Sequence, residues 1–266
     1  MPHIASALTR RRALMALGGG LLSPLIPRPL AAAQPHYDVL VYGGTPSGVM
    51  AAYAAARENL RVALVLGPNP LGGMCTNGLG WSDGKNPQWI GGLAREFFQR
   101  VGKLYGMKVA ESQFEPSVAF RAFRSFLTEA GFDAYANALA LGVRKEGAEL
   151  KSVTLTTGAT LTASTFIDAT YEGDLMALAG VTYSFGREPE TTFAEPAAGY
   201  NQYPSVRSYK TRDSAGRLLP GINPYRYQAV GTADRGVQAY TFRLCLTDDP
   251  KNKAPWREAF PAPTAR

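Results

Sequence analysis

Along the chain, apolar residues fall into blocks of distinct period. Residues 37–42 (YDVLVY) and 61–66 (RVALVL) are short runs rich in β-branched residues, the pattern of strands buried on both faces. Between them, PSGVMAAYAAAREN predicts a helix from Pro46 to about Asn59. Thr45 stands at the N-cap, and Pro46 takes the first helical position, where a missing N–H costs nothing. Strand, helix and strand together make a βαβ unit.

Residues 67–87 are so rich in glycine that they read as loop, a place where backbone approaches a ligand closely. Two amphipathic helices are expected next. One carries Ile90, Leu93, Phe97, Val101 and Leu104 on a face, the other Val118, Ala122, Phe123, Phe126 and Leu127, and Gly106 and Gly131 end them. Both faces read as core.

From Asp133 to Thr162 the pattern becomes that of strands, a hairpin or three-strand meander with turns at Lys145 to Gly147 and at Gly158. STFIDAT reads as a further strand and YEGDLMALAG as a short helix closed by Gly180. After a loop-like stretch, VQAYTFRLCLT (237–247) alternates strictly and predicts one more strand. Tyr240, Phe242, Leu244 and Leu246 share one face of it, and Ala239, Thr241, Arg243 and Cys245 the other.

Charge changes this picture little. The formal charge is +7, but four of the 28 basic residues (Arg10, Arg11, Arg12 and Arg28) and none of the 21 acidic ones fall within residues 1–33. The remainder is close to neutral, with its basic residues scattered, which argues against a nucleic-acid partner. Residues 1–33 read instead as an export signal: a basic start, a short apolar stretch loosened by Gly18, Gly19 and Gly20, and an Ala31-Ala32-Ala33 cleavage site. The arginine pair resembles the twin-arginine class, which implies a periplasmic or secreted protein exported already folded. A stable membrane span is not expected, because the stretch is short and carries Pro24 and Pro27.

The 2 histidines, one of them within the export signal, leave no basis for histidine acid-base or metal chemistry, and no metal site is expected. Cys75 and Cys245 give no disulfide framework. One bridge between them is open, but two buried free thiols fit better. A thiol pair for disulfide reduction needs a second cysteine close in sequence, and Cys75 has none.

The candidate chemistry lies in GGTPSG. In a dinucleotide-binding fingerprint the first glycine permits a tight turn, the second admits the pyrophosphate, and the third lets helix pack on strand. Gly43 and Gly48 fill the first and third roles. Thr45 holds the second, where its hydroxyl is available to a phosphate oxygen while the helix start favours an anion. The acid that normally ends the second strand to hold a ribose is replaced by Leu66. The ribose then falls to backbone carbonyls or to a neighbour such as Asn69, and no arginine follows for a 2′-phosphate.

VYGGTPSGVMAA, LGGMCTNGLGWSD, GGLAREFFQRVGKLYG, FEPSVAFRAF, FIDATYEGDLMALAGVTYSFGRE and QAYTFRLCLTDDP resemble the FAD-dependent oxidoreductase family of exported bacterial flavoproteins, some loosely labelled xanthan lyase. The resemblance runs from about Tyr37 to Asp249, and DATYEGDLMALAG is its most specific piece. It implies an α/β fold: a three-layer, Rossmann-like FAD-binding domain of the glutathione-reductase type with a partial, β-rich substrate domain. The domains expected are 34–180, with a helical insertion at 88–131, and 181–266.

By that resemblance FAD is the cofactor. Gly43, Gly44, Thr45, Pro46, Ser47 and Gly48 hold its pyrophosphate, with Leu66 beside the adenosine. Leu71, Gly72, Gly73, Met74 and Thr76 match the loop under the ribityl chain and flavin, and Ala169, Thr170, Glu172, Gly173 and Asp174 match a second contact region. Thr170 also suits a helix cap, and Glu172 and Asp174 its positive end. Arg243, costly to bury unpaired, either anchors substrate or pairs with an acid such as Asp168, and Tyr183 and Arg187 carry the same alternatives.

The family's returning glycine-rich segment is not expected after Asp249, so the chain reads as shortened. Two functions follow from these expectations. One is an oxidoreductase passing hydride or electrons from a small, sugar-related substrate through FAD to an acceptor the residues do not specify. The other is a shortened, non-catalytic nucleotide-binding remnant. A polysaccharide lyase finds no supporting constellation. Restoring the missing acid with Leu66→Glu is expected to tighten FAD binding, read by fluorescence titration, and an unchanged affinity would place the adenosine elsewhere.

Overall fold

The two largely apolar runs pair side by side. In the computed structural model, β1 (His36–Tyr42) lies parallel to β2 (Val62–Gly67), and α1 (Pro46–Arg57) connects them. Val39 and Val41 face one side of the sheet with Val62 and Leu64, while Leu40 and Tyr42 face the other with Ala63 and Val65. Burial on both faces is why these runs lack polar alternation. The structure describes residues 35–67, 70–80, 82, 87–201, 211–220, 222, 228–237 and 243–253. All of them lie in the unit that begins at Pro35; the expected export signal and Asn69 fall outside them.

The insertion between β2 and the next strand is helical, as its periodicity predicts. In α2 (Gly92–Leu104), Phe97 and Val101 are buried, and in α3 (Pro116–Ala130), Val118, Ala122, Phe123 and Phe126. Phe97 stacks on Phe123 with ring centroids 4.3 Å apart, and Phe126 meets Tyr53 of α1 edge-on at 4.8 Å. Leu104, expected in the core, is 41% exposed because it sits in the last turn of its helix. Gly131 ends α3 with a left-handed φ of 66° and donates its N–H to the Leu127 carbonyl.

Arg100 of α2 lies against the Phe126 ring at 3.6 Å and donates to Glu96 and, at 2.6 Å, to Glu129. It also donates to Tyr53, so one part-buried cation ties α2 to α1 and α3. Its two carboxylates offset the cost of burying that charge.

The β-rich stretch divides differently from the expected hairpin or meander. β3 (Asp133–Ala136) pairs parallel with β2 at one edge, while β4 (Ala140–Glu146), β5 (Glu149–Leu155) and β6 (Thr160–Asp168) form an antiparallel meander on the other side. The sheet order is β3-β2-β1-β6-β5-β4. A parallel partner cannot be reached by a tight turn, so β3 belongs to the crossover that the two helices build.

STFIDAT is not a separate strand. It continues TLTA within β6, whose first half pairs with β5 and whose remainder runs parallel to β1, from Thr162 against His36 to Asp168 against Tyr42. No turn residue separates Ala163 from Ser164, so nothing interrupts the strand. The expected turns hold, with Gly147 at φ 60° and Gly158 at φ 85°.

Helices thus cover one face of the parallel strands and a second core covers the other, where Leu155, Leu161 and Val153 pack with Tyr37, Leu40 and Tyr42. Tyr42 also accepts a hydrogen bond from the Ala140 N–H, which pins the start of β4 to β1. This is the expected three-layer, Rossmann-like α/β arrangement.

Past α4 (Asp174–Leu178) and Gly180, the described residues hold the short α5 (Glu190–Phe193) and two isolated bridges. Arg187 and Asp234 exchange backbone hydrogen bonds of 2.9 and 3.2 Å and are joined again through their side chains. Arg187 is therefore paired structurally, and its guanidinium holds the Asp234 carboxyl below the usual range. The strand expected over 237–247 is not formed where the chain is described: Arg243 to Thr247 have no regular structure and are exposed. Tyr240 and Phe242, which were to build its apolar face, lie outside the described residues.

Phe123 joins the helical layer to the loop beyond β2, because a Cβ on Gly72 would stand 2.3 Å from its ring. Phe123→Ala is expected to lower unfolding free energy by about 3–5 kcal/mol in urea denaturation, and Phe123→Leu by much less.

Candidate functional site

Three segments meet where β1, β2 and β6 end, the carboxyl edge at which open α/β sheets bind ligands. The first is the turn from β1 into α1. The Gly43 N–H donates to Val65 at 2.8 Å, which seats the turn across the end of β2. A Cβ on Gly43 would lie 2.6 Å from the Ala169 backbone, and one on Gly48 only 1.9 Å from the Gly43 carbonyl oxygen. Both glycines are there because backbone passes backbone with no room for a side chain.

Thr45 is 5% exposed and faces inward. Its hydroxyl donates to the Ala169 carbonyl at 2.6 Å and accepts from the Gly48 N–H at 3.2 Å. It is the N-cap that TPSG predicts, but not the phosphate contact its hydroxyl was offered for, since the oxygen is already held by the fold. With Gly48 capped and Pro46 lacking an N–H, the Ser47 amide is left as a first-turn donor without an intrahelical acceptor.

The second segment is the loop after β2. A 3-10 turn spans Gly73–Thr76 inside what reads as loop, and the Gly72 N–H donates to the Gly44 carbonyl at 2.7 Å. Leu71 is buried, Met74 is exposed, and the Thr76 hydroxyl donates back to Gly73 at 3.0 Å. Gly72 needs its φ of 91° and its missing Cβ, since Phe123 fills the space behind it. Cys75 is half-buried and burial pushes its thiol up, which favours the unreactive protonated form. Cys245, by contrast, is exposed, so both thiols are free as expected but neither is fully buried.

The third segment follows β6. Asp168 organises it: Oδ1 accepts from the Thr170 N–H at 2.9 Å and from its hydroxyl at 2.7 Å, while Oδ2 accepts from the Met176 N–H at 2.8 Å. The Thr170 hydroxyl in turn accepts from the Asp174 N–H at 3.0 Å. Thr170 does serve the start of α4, though the cap position itself is Gly173, at φ 71°. Glu172 and Asp174 are exposed at that end. Asp168, engaged in this way, is not the partner of Arg243.

The first and third segments and the end of β2 enclose a narrow cleft of about 40 Å³, room for a few water-sized groups, and the predicted loop residues Leu71, Gly72, Gly73, Met74 and Thr76 lie beside it without lining it. Gly43, Gly44, Thr45, Leu66, Thr170, Glu172 and Asp174 line it, so residues drawn from distant parts of the sequence are brought together. Leu66 lies directly against Gly44, where a Cβ would meet its side chain at 2.9 Å. Tyr42, Gly67, Leu139 and Tyr171 line the cleft as well and were not picked out from sequence. Tyr171 sits inside DATYEGD, and its place between Thr170 and Glu172 was the available signal. Arg243 is not brought to the cleft; its backbone packs on Gly78, and among the described residues it has no ion-pair partner. Tyr183 is exposed and also lies outside the cleft.

A larger cavity of about 910 Å³ opens over the meander, away from the glycine turn. Its rim charges are satisfied locally, Arg144 by Glu146 and Lys151 by Glu149, so size alone does not make it the site. Among the described residues no group of His, Cys, Asp and Glu is placed to hold a metal ion, and no helix is long and apolar enough to cross a membrane.

A sequence model of the family described as FAD dependent oxidoreductase matches residues 38–265. Over 45 residues, 17% of the chain, the protein is 49% identical to a soluble pyridine nucleotide transhydrogenase of Marinobacter nauticus, and that match spans 10% of the relative. Among solved structures it is similar to L-proline dehydrogenase from P. horikoshii, at 16% identity over 59% of each chain with a TM-score of 0.44. It is also similar to L-amino acid deaminase from Proteus vulgaris, at 13% identity over 59% of this chain and 58% of that one, with a TM-score of 0.43. The chain thus covers less than two thirds of each of these proteins.

Thr45→Val keeps the shape of the buried side chain and removes its hydroxyl's hydrogen bonds to the Ala169 carbonyl, the Gly48 N–H and the Ser47 hydroxyl. It is expected to cost about 1–2 kcal/mol in urea denaturation. Thr45→Ser should retain most of that stability.

Proposed function

The chain belongs to the FAD dependent oxidoreductase family, and from that premise we propose that it draws hydride or electrons from a small, sugar-related organic substrate and delivers them to a separate acceptor. The observation that carries this reading is the meeting of the glycine turn, the end of β2 and the Thr170–Asp174 turn in one cleft at the strand ends, with the Gly72–Thr76 loop tied alongside through the Gly72 N–H to the Gly44 carbonyl. FAD, when bound, supplies the redox chemistry.

The residues fit that cofactor on one physical ground: Gly43 and Gly48 let the β1–α1 turn pack closely on β6, and with Gly48 capped and Pro46 lacking an N–H the start of α1 is left with the Ser47 amide as its free donor. The Ser47 amide and the positive end of α1 attract the pyrophosphate there. Thr45 and Pro46 act by shaping and capping the helix start rather than by touching the phosphates. Leu66, packed on Gly44, offers the adenosine an apolar wall and no hydrogen bond to the ribose. Leu71, Gly72, Gly73, Met74 and Thr76 would hold the ribityl and flavin part of FAD, and Ala169, Thr170, Glu172, Gly173 and Asp174 would supply the second contact region.

The cleft lining supplies hydroxyls and two exposed carboxylates, with no histidine. In this reading the chain binds and orients, and Arg243 has no assigned part. Its division into a cofactor domain, 34–180, and a substrate portion, 181–266, and its export through the basic leader belong to the same proposal; they rest on the sequence pattern.

The purified chain is expected to carry, or to take up, FAD in near-stoichiometric amount, seen as the visible flavin absorption band. FAD should also raise its melting temperature. A colourless chain whose melting temperature FAD leaves unchanged would overturn the reading.

A further inference from the structure

The Tyr171 side chain crosses from the end of β6 to the loop after β2. Its phenol oxygen accepts the Met74 N–H at 2.8 Å and stands 2.3 Å from where a Cβ on Gly73 would be. That same Cβ position is 3.3 Å from the Cα of Thr45, so the hydroxyl lies where the loop, the start of α1 and the Thr170–Asp174 turn converge. Tyr171 is 46% exposed as a residue, yet it lines the cleft with Gly43, Gly44 and Thr45.

A phenol that accepts one hydrogen bond still has its own proton to donate. Among the described residues, no acceptor for that proton is in place around Tyr171, where the only hydrogen bond is the one from Met74. We propose that Tyr171 is a cofactor-positioning residue: its O–H donates to a phosphate oxygen of FAD, while its oxygen, held by the Met74 amide, fixes the Gly72–Thr76 loop against that phosphate. This rests on the reading of the cleft as an FAD site.

The geometry makes the two halves of the role cooperative, because an oxygen that accepts from an amide becomes a better donor to an anion. Burial pushes the phenol up from its ordinary value, so it remains protonated and able to donate across the physiological range. Gly73 is part of the same device, since any side chain there would displace the hydroxyl.

The test is Tyr171→Phe, with FAD and ADP titrated separately against the full chain and the melting temperature of the FAD-free chain measured alongside. Because the ring is retained and half-exposed, the FAD-free melting temperature should match that of the parent. Affinity for both ligands should fall about tenfold, the scale of one lost hydrogen bond to a charged group. FAD should also slow hydrogen exchange at the Met74 amide in the parent and much less in the variant.

Parent-like affinity for FAD in Tyr171→Phe would overturn the proposal, as would a loss for FAD with ADP binding unchanged. A fall in the FAD-free melting temperature large enough to account for the weaker binding would assign Tyr171 a purely structural role and overturn it too. If the parent chain itself fails to bind FAD, it is the reading of the cleft that fails. If the parent binds and the variant binds equally well, only the role of Tyr171 is lost.

Discussion

The hydrogen bond from the Thr45 hydroxyl to the Ala169 carbonyl joins the start of α1 to the end of β6 across 124 positions of sequence. It forms only if α1 enters the sheet close enough for the Gly48 Cα to lie over the Gly43 carbonyl and for Gly43 to lie over Ala169. Glycine at 43 and 48 permits that approach, and the threonine then holds it. From this contact the rest of the carboxyl edge takes its position. The Gly72 N–H reaches Gly44, the Ala169 N–H reaches the Tyr42 carbonyl at 2.7 Å, and the cleft opens between the β1–α1 turn, the end of β2 and the Thr170–Asp174 turn.

The same constraint explains why an imperfect dinucleotide fingerprint still builds the fold. A middle glycine lets the pyrophosphate approach without hindrance. Here a threonine takes its place and its side chain turns inward, where it caps α1 and seals the β1–α1 turn against β6. What the chain forgoes in openness on the ligand side it recovers in order on the protein side. The inward turn passes the work of meeting an anion to backbone amides and, in our proposal, to Tyr171.

Two layers support that edge from behind. The aromatic stack of Phe97 and Phe123 reaches Gly72, so the loop after β2 rests on the helical insertion as well as on the strands. Asp168 does the equivalent on the other side by collecting three hydrogen bonds from the Thr170 and Met176 region, which sets the angle at which α4 leaves the sheet. Core and site are mechanically one object. A packing change in α3 is felt in the loop, and a change at the helix cap is felt at the end of β6.

Local patterns were enough to specify β1, α1, β2, the two amphipathic helices and the turns at Gly147 and Gly158, because each follows from period, capping and glycine placement within a few residues. The cap at Thr45 was legible for the same reason. Pairing was not. Whether 133–136 joins a meander or the parallel sheet, and whether STFIDAT stands alone, depends on partners dozens of residues away. The alternation of 237–247, which reads as a strand, has no described partner to hold Arg243 to Thr247. The candidate site divides along the same line. Its glycines and the DATYEGD segment are visible as motifs, but the inward turn of Thr45, the engagement of Asp168 at α4 and the bond between Tyr171 and Met74 arise only when strand ends from three parts of the chain are brought together. Sequence determined which backbone conformations were available, and tertiary packing decided which polar atoms they leave facing the cleft.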